Sequence, residues 1–136
     1  MNYDIQLKRI YQEICDDDGA RILVDRLWPR GKHRELLALT EWYRGASPSS
    51  VLRRQYHNNI ISKAVFESRY RGELRDDSES LIPLMRYARQ GRLTLLSASR
   101  ELSTSHLPLL KDALICALQE EDNADRKLSP PPTMPS

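Results

Sequence analysis

The stretch "LVDRLWPRGKH", Leu23 to His33, gathers one carboxylate, several cationic side chains and an indole around a Trp-Pro pair and a glycine. Asp25 could pair with Arg26, Arg30 or Arg100, and a carboxylate that holds a guanidinium in place is useful for oxyanion binding. The same pair could equally lock a turn. Trp28 offers either a stacking platform for a base or a core plug, and Trp before Pro more often packs. Arg30 and Lys32 follow Pro29 and Gly31 and are expected at the surface, free to meet a ligand.

A second stretch, "SASRELSTSH", pairs cationic Arg100 with hydroxyls ahead of a helix. Unpaired N–H groups at a helix start attract anions, and Ser103, Thr104 and Ser105 could add donors; the plainer reading is that Ser103 or Ser105 caps the helix. His106 falls in the first turn, where the helix dipole disfavours its protonated form. Ser97 or Ser99 with His106 and Asp25 makes a nominal Ser/His/Asp set, but no Gly-x-Ser-x-Gly elbow accompanies it. Asp25 and His106 are therefore the candidate catalytic pair, and no nucleophile is evident. Arg53, Arg54 and His57 in "LRRQYH" could extend a phosphate- or nucleic-acid-facing surface.

Other chemistries lack their residues. Cys15 and Cys116 form no Cys-x-x-Cys pair; Cys15 has acidic neighbours, and Cys116 lies beside the apolar stripe of the last helix and should be core. His33, His57 and His106 share no ligand spacing, so neither a metal nor another cofactor is expected. The N-terminus is too polar for a signal peptide, and the apolar runs are too short for a membrane span. A cytoplasmic protein is the expectation. The net charge of +2 does not by itself imply nucleic acid. Its distribution is uneven: Arg21–Arg34 holds five Arg or Lys and one Asp, and Leu81–Arg100 holds four Arg and no acid. If the two regions meet, they make one positive face. A homodimer is possible on general grounds without any sequence signature.

The elements that must position these groups read as α/β. Tyr3–Tyr11 alternates as a half-buried strand, "DDDGA" is a turn, and "RILVDRL" is a central strand. "RELLALTEWYR" suggests a short helix or helical turn at best. Ser47 can cap a helix that has Pro48 at its first position. A longer helix carries Phe66, Tyr70 and Leu74, with Tyr70 locking helices together. Another helix covers about Ser78–Gln90, "RLTLLSAS" is a third strand, and a last helix runs from about Thr104 or Ser105 to Glu121. Together these predict a small, mostly parallel sheet flanked by helices in one domain, residues 1–121. A Pro-rich tail, 122–136, is expected to be disordered, since four of the eight prolines lie there. In such a sheet the loops after strands 22–27 and 93–98 open on the same side, the usual place for a ligand crevice.

Four segments in order carry a family resemblance: "DDDGARILVDRLWPRG", "LTEWYRGASPSSVLRRQYH", "FESRYRGEL" and "GRLTLLSASRELSTSH". Over roughly Ile5 to Leu118 the chain resembles the small bacterial YeaO-like proteins of the DUF488 family, whose function is unknown. The resemblance implies that Asp25, Arg26, Trp28, Pro29, Arg30 and Gly31 form the family's most characteristic loop. It also matches Pro48, Ser49, Leu52, Arg53, Tyr70, Glu73, Leu74 and His106 to family motif positions. The chain departs from the pattern at Ala46-Ser47, at Ser97 for a tyrosine, at Arg100-Glu101 for lysine-aspartate, and at Ser105 for an asparagine. Those departures suit an anion-binding surface better than a complete active site. The strand-loop-helix also resembles the cradle of rhodanese-like domains, but without the reactive cysteine. The expectation is a protein that binds a phosphate-containing small molecule through Arg26, Arg30, Lys32, Arg100, Ser103, Ser105 and His106. The alternatives are a DNA- or RNA-associated or regulatory protein, or a metal-independent hydrolytic or phosphoryl-type enzyme.

Overall fold

In the runs "RILV" and "LTLLS" successive residues point to opposite faces of a sheet, so near-continuous apolarity means both faces are covered. The computed structural model, which describes residues 2–128 with side chains through Asp125, has that arrangement. Strands β1 (Ile5–Arg9), β2 (Ala20–Leu23), β3 (Glu41–Trp42) and β4 (Leu93–Ser97) form one sheet in the order β1-β4-β2-β3. Every pairing is parallel, and Leu95 lies between Leu7 and Ile22. The expected α/β fold is therefore present.

Ile5, Ile22, Val24, Leu93 and Leu95 face helices α1 (Ser50–His57), α2 (Lys63–Asp76), α3 (Ile82–Gln90) and α4 (Leu107–Leu128). Leu23 and Leu96 face the other way and meet Ile10 and Leu37, with Trp28, Leu39 and Trp42 packed around them. The long β2–β3 connection thus covers the face that the helices leave open. The expected short helix or helical turn is present as a 3-10 turn at Arg34–Leu36, while the end of the same stretch forms β3 instead. Two residues are too few for alternation to be read.

The loop-covered face also holds an ionic cluster. Asp18 accepts hydrogen bonds from Lys8 Nζ at 3.1 Å, Arg21 Nη1 at 2.6 Å, Gln6 Nε2 at 3.0 Å and the Cys15 N–H at 3.1 Å. Arg21 also donates to the Leu37 carbonyl, fastening the covering loop. Arg21 therefore does not belong to a positive face: it is buried and paired. Gly19 makes this turn possible. Its φ is +68°, and a Cβ there would lie 2.2 Å from the Arg92 carbonyl oxygen.

Helix boundaries shift in informative ways. Ser49, not Ser47, caps α1, its Oγ accepting the Leu52 N–H at 3.2 Å. Ser49 is itself held by both carboxylate oxygens of Glu73 on α2. Ser47 is buried and donates to the Arg44 carbonyl. α4 continues through Leu128, past the expected end at Glu121, while residues 129–136 of the expected tail lie outside the described residues. Arg89 pins that extension through Glu121 at 2.7 Å and Asp122 at 3.1 Å. No described helix is long and apolar enough to cross a membrane.

Burial opposes ionisation of Asp18, but the donors around it outweigh that and hold its carboxyl at about 2, below the ordinary 3.8. The carboxylate therefore stabilises the fold above the ordinary value, and this contribution is lost as pH falls from 3.8 toward about 2. Asp18→Asn, which strands two buried cations, should cost roughly 3–5 kcal/mol in urea denaturation at neutral pH. Part of the wild type's acid lability should vanish in that variant.

Candidate functional site

Because all strands are parallel, the chain leaves β2 and β4 at one edge of the sheet. Asp25, two residues beyond β2, reaches across this edge: its Oδ1 accepts from Ser97 Oγ at 2.7 Å and its Oδ2 from the Ala98 N–H at 2.8 Å. Its carbonyl accepts from Trp42 Nε1 at 2.8 Å. Ser99 extends the chain of contacts, with its Oγ 3.0 Å from Ser97 Oγ, and Arg9 Nε bonds to the Ser99 carbonyl.

Above this edge lies a cleft of about 610 Å³. Asp25, Arg26 and Trp28 line it from the β2 loop, Ser99 and Arg100 from the β4 loop, and His106 from the start of α4. Its helical wall is Arg53, Tyr56 and His57 of α1 with Phe66 of α2. Tyr56 stacks on Phe66 with ring centroids 4.4 Å apart, giving the cleft an aromatic side. The volume falls within the range of small-molecule sites.

Not every expected ligand residue lies here. Arg26 lines the cleft, but its guanidinium donates to the carbonyls of Pro48 and Ser47, so it anchors the entry to α1. Arg30 is exposed and outside the cleft lining. Lys32 turns away onto the Tyr11 ring, 4.8 Å from its centroid. The turn between them closes through Trp28 Nε1 and the Lys32 carbonyl, with Gly31 at φ +72° and Pro29 buried. Trp28 also meets Trp42 edge-on at 5.1 Å. It plugs the fold and presents part of its ring to the cleft.

Ser103 is exposed outside the lining, within a 3-10 turn over Leu102–Thr104 that delays α4 to Leu107. Ser105 lines the cleft, but its Oγ donates to the Leu102 carbonyl and accepts the Leu107 N–H, which is capping. Pro108 removes another donor from the first turn. The start of α4 therefore makes a poor anion cradle, and the cations remain.

Arg53 stands out among them. Its Nε is the only buried side-chain polar atom without a hydrogen-bond partner among the described residues. A buried guanidinium nitrogen without a hydrogen-bond partner is costly, which sets Arg53 apart from the other cations lining the cleft. The sequence placed Arg53 near a helix start but could not show that the fold would bury its Nε.

The nominal Ser/His/Asp set does not form a relay. Ser97 bonds directly to Asp25, and His106 Nε2 lies 2.5 Å from the Val24 carbonyl and 3.7 Å from Asp25 Oδ1. A carbonyl only accepts, so Nε2 carries the proton. Burial pushes the His106 pKa down, overcoming the opposing effects of Asp25 and the Val24 hydrogen bond. The imidazole is therefore neutral, with its Nδ1 lone pair unprotonated. Tyr70, fully buried and edge-on to His106 at 5.8 Å, is fixed through its OH to the Ala46 carbonyl. Burial also raises the pKa of Tyr70, so it serves as a packing group.

Two features expected elsewhere also change. Cys116 is exposed rather than core, since it falls off the stripe formed by Leu110, Leu114 and Leu118. Cys15, Asp17 and Asp18 bring possible metal-ligand atoms within 4.8 Å of one another, but Asp18 is already occupied by Lys8 and Arg21.

A four-stranded parallel sheet with helices packed on it and a cleft at its carboxyl edge defines a small α/β protein. The particular lineage is clear: residues 4–134 match the family model described as the inactive DUF488-N3 subclade, and the chain belongs to that family. It is similar to the uncharacterised protein YeaO of Escherichia coli K12, 39% identical over 111 residues, or 82% of this chain and 96% of the relative. It is 34% identical over 110 residues to the uncharacterised protein Rv3073c of Mycobacterium tuberculosis, covering 81% of this chain and 92% of the relative. No solved structure matches it.

Nitrogen-correlated NMR of the histidines should report His106 as the neutral Nε2–H tautomer at pH 7. It should titrate below the ordinary value of 6.5. Because the unfolded chain then binds a proton that the folded chain refuses, this group lowers stability as pH falls below 6.5. A cationic His106 at neutral pH would contradict the assignment.

Proposed function

We propose that this chain is a binding protein for a small phosphate-bearing ligand, held in the cleft between the β2 and β4 loops and α1. The observation that carries this reading is Arg53, whose buried Nε has no acceptor in a cleft also lined by Arg26 and Arg100. A guanidinium nitrogen with no partner in the fold gives up no internal hydrogen bond on meeting a phosphate oxygen, and the partly enclosed site strengthens the contact. Arg26 supports the wall that carries Arg53 by holding the Ser47 and Pro48 carbonyls at the entry to α1.

Binding without turnover agrees better with the residues than catalysis does. Both Asp25 oxygens are occupied by donors, and His106 Nε2 is committed to Val24. Ser97, which donates to that carboxylate, is fully buried and does not line the cleft, so its hydroxyl is out of reach of a ligand held there. The description of the matched subclade as inactive points the same way. A nucleic-acid reading would need a continuous cationic surface. Instead, Arg21 is buried, Lys32 covers Tyr11, and Arg89 and Arg92 are paired with acids.

The test is calorimetric titration with inorganic phosphate and with ribose 5-phosphate, used as a minimal phosphate monoester. Arg53→Met keeps the aliphatic stem and removes the guanidinium. It should weaken binding by about tenfold or more while leaving the thermal midpoint unchanged or raised, because an unsatisfied buried donor is gone. Wild-type protein that binds neither probe, or an Arg53→Met variant that binds both as before, overturns the reading.

A further inference from the structure

We infer that the phosphate-bearing ligand is a mononucleotide, with its phosphate at Arg53 and Arg100, its base against the Tyr56–Phe66 side and a sugar or base donor at His106. This rests on the phosphate-binding reading and narrows it. Three separate features of the cleft support it.

First, the cations occupy only part of the lining. Tyr56 and Phe66 form a stacked pair at 4.4 Å, and both border the same space as Arg53. A phosphate needs no such surface, whereas every nucleobase has a flat apolar face that stacks on aromatic rings. Tyr56 is half-buried and sits one helical turn from Arg53, so α1 presents a ring and a cation to one ligand.

Second, His106 supplies an acceptor. Its Nε2–H is used by Val24, and Nδ1 has no partner among the described residues. Nor is Nδ1 sealed from solvent, since Arg53 Nε is the sole buried orphan among the described residues and His106 borders the cleft. A neutral imidazole nitrogen with a lone pair repels a phosphate oxygen and attracts an O–H or N–H donor. His106 therefore offers the ligand a hydrogen-bond acceptor rather than a cation. It calls for a ligand with hydrogen-bond donors as well as an anion. Simple carboxylates lack this combination and inorganic phosphate offers only its own P–OH, while a ribose hydroxyl or an exocyclic amine supplies a donor separate from the phosphate.

Third, a cleft of about 610 Å³ has room for a base, a sugar and a phosphate together.

The experiment titrates the full chain, by calorimetry, with the 5′-monophosphates of adenosine, guanosine, cytidine and uridine, with adenosine, with ribose 5-phosphate and with a 12-nucleotide single-stranded DNA. At least one mononucleotide should bind about tenfold more tightly than ribose 5-phosphate, the usual worth of one base stacked on an aromatic ring. Tyr56→Leu, checked for folding by circular dichroism, should bring that ratio close to one. If ribose 5-phosphate binds as tightly as every mononucleotide, the nucleotide assignment fails while phosphate binding stands. If adenosine binds as tightly as its monophosphate, or no phosphate-bearing probe binds, both readings fail. If the DNA binds more tightly than all mononucleotides, with strong salt dependence, the ligand is a strand and the mononucleotide assignment is overturned.

Discussion

Asp25 is bonded to both strands that flank β2. Its carboxylate takes the Ser97 hydroxyl and the Ala98 N–H at the end of β4, and its carbonyl takes the Trp42 indole N–H at the end of β3. One residue thus fixes where three parallel strands release their chains. The β2 loop, the β4 loop and the start of α4 then take up positions around it, and the cleft is the space between them. An ionised carboxylate with two donors is a strong clamp, because charge-assisted hydrogen bonds exceed neutral ones. The same commitment withdraws Asp25 from acid–base work.

The fold's other ionic centre does a different job on the opposite face. Asp18 collects Lys8, Arg21, Gln6 and a backbone N–H, and Arg21 passes the connection to the β2–β3 loop at Leu37. With all four helices on one face of the sheet, the second face is covered by chain with little regular structure. An irregular segment has few hydrogen bonds of its own, so a guanidinium on its carbonyl and Trp28 and Trp42 beneath it hold it down. Two of the cations visible in the sequence, Lys8 and Arg21, are used in this way inside the structure.

The secondary structure legible in the sequence was that set by long periodic segments. β1, β2 and β4, the Phe66–Tyr70–Leu74 stripe of α2 and the Leu110–Leu114–Leu118 stripe of α4 all follow local apolar spacing. β3 did not show, because its two residues pair with β2 only through tertiary register. The cap of α1 was misplaced by two residues because Ser47 and Ser49 are chemically alike. Only the position of Glu73, one helix away, selects Ser49. Within the candidate site, Asp25, Arg26, Trp28, Arg100, Ser105 and His106 border the cleft, whereas Arg30 and Ser103 are exposed outside its lining and Lys32 lies on Tyr11. Adjacency in sequence does not survive a tight turn: residues on either side of Gly31 point to different parts of the surface.

By itself, the sequence determined the α/β class and the family, because periodicity, turn residues and motifs are local properties. The tertiary structure alone decided which charges are available. Whether Arg21 is buried, Arg53 left without an acceptor, or His106 kept neutral depends on groups from distant segments meeting at hydrogen-bond distance and on how much water the packing excludes. Side-chain identity gives the charge that could be used. The three-dimensional neighbourhood determines whether it is spent on the fold or kept for a ligand.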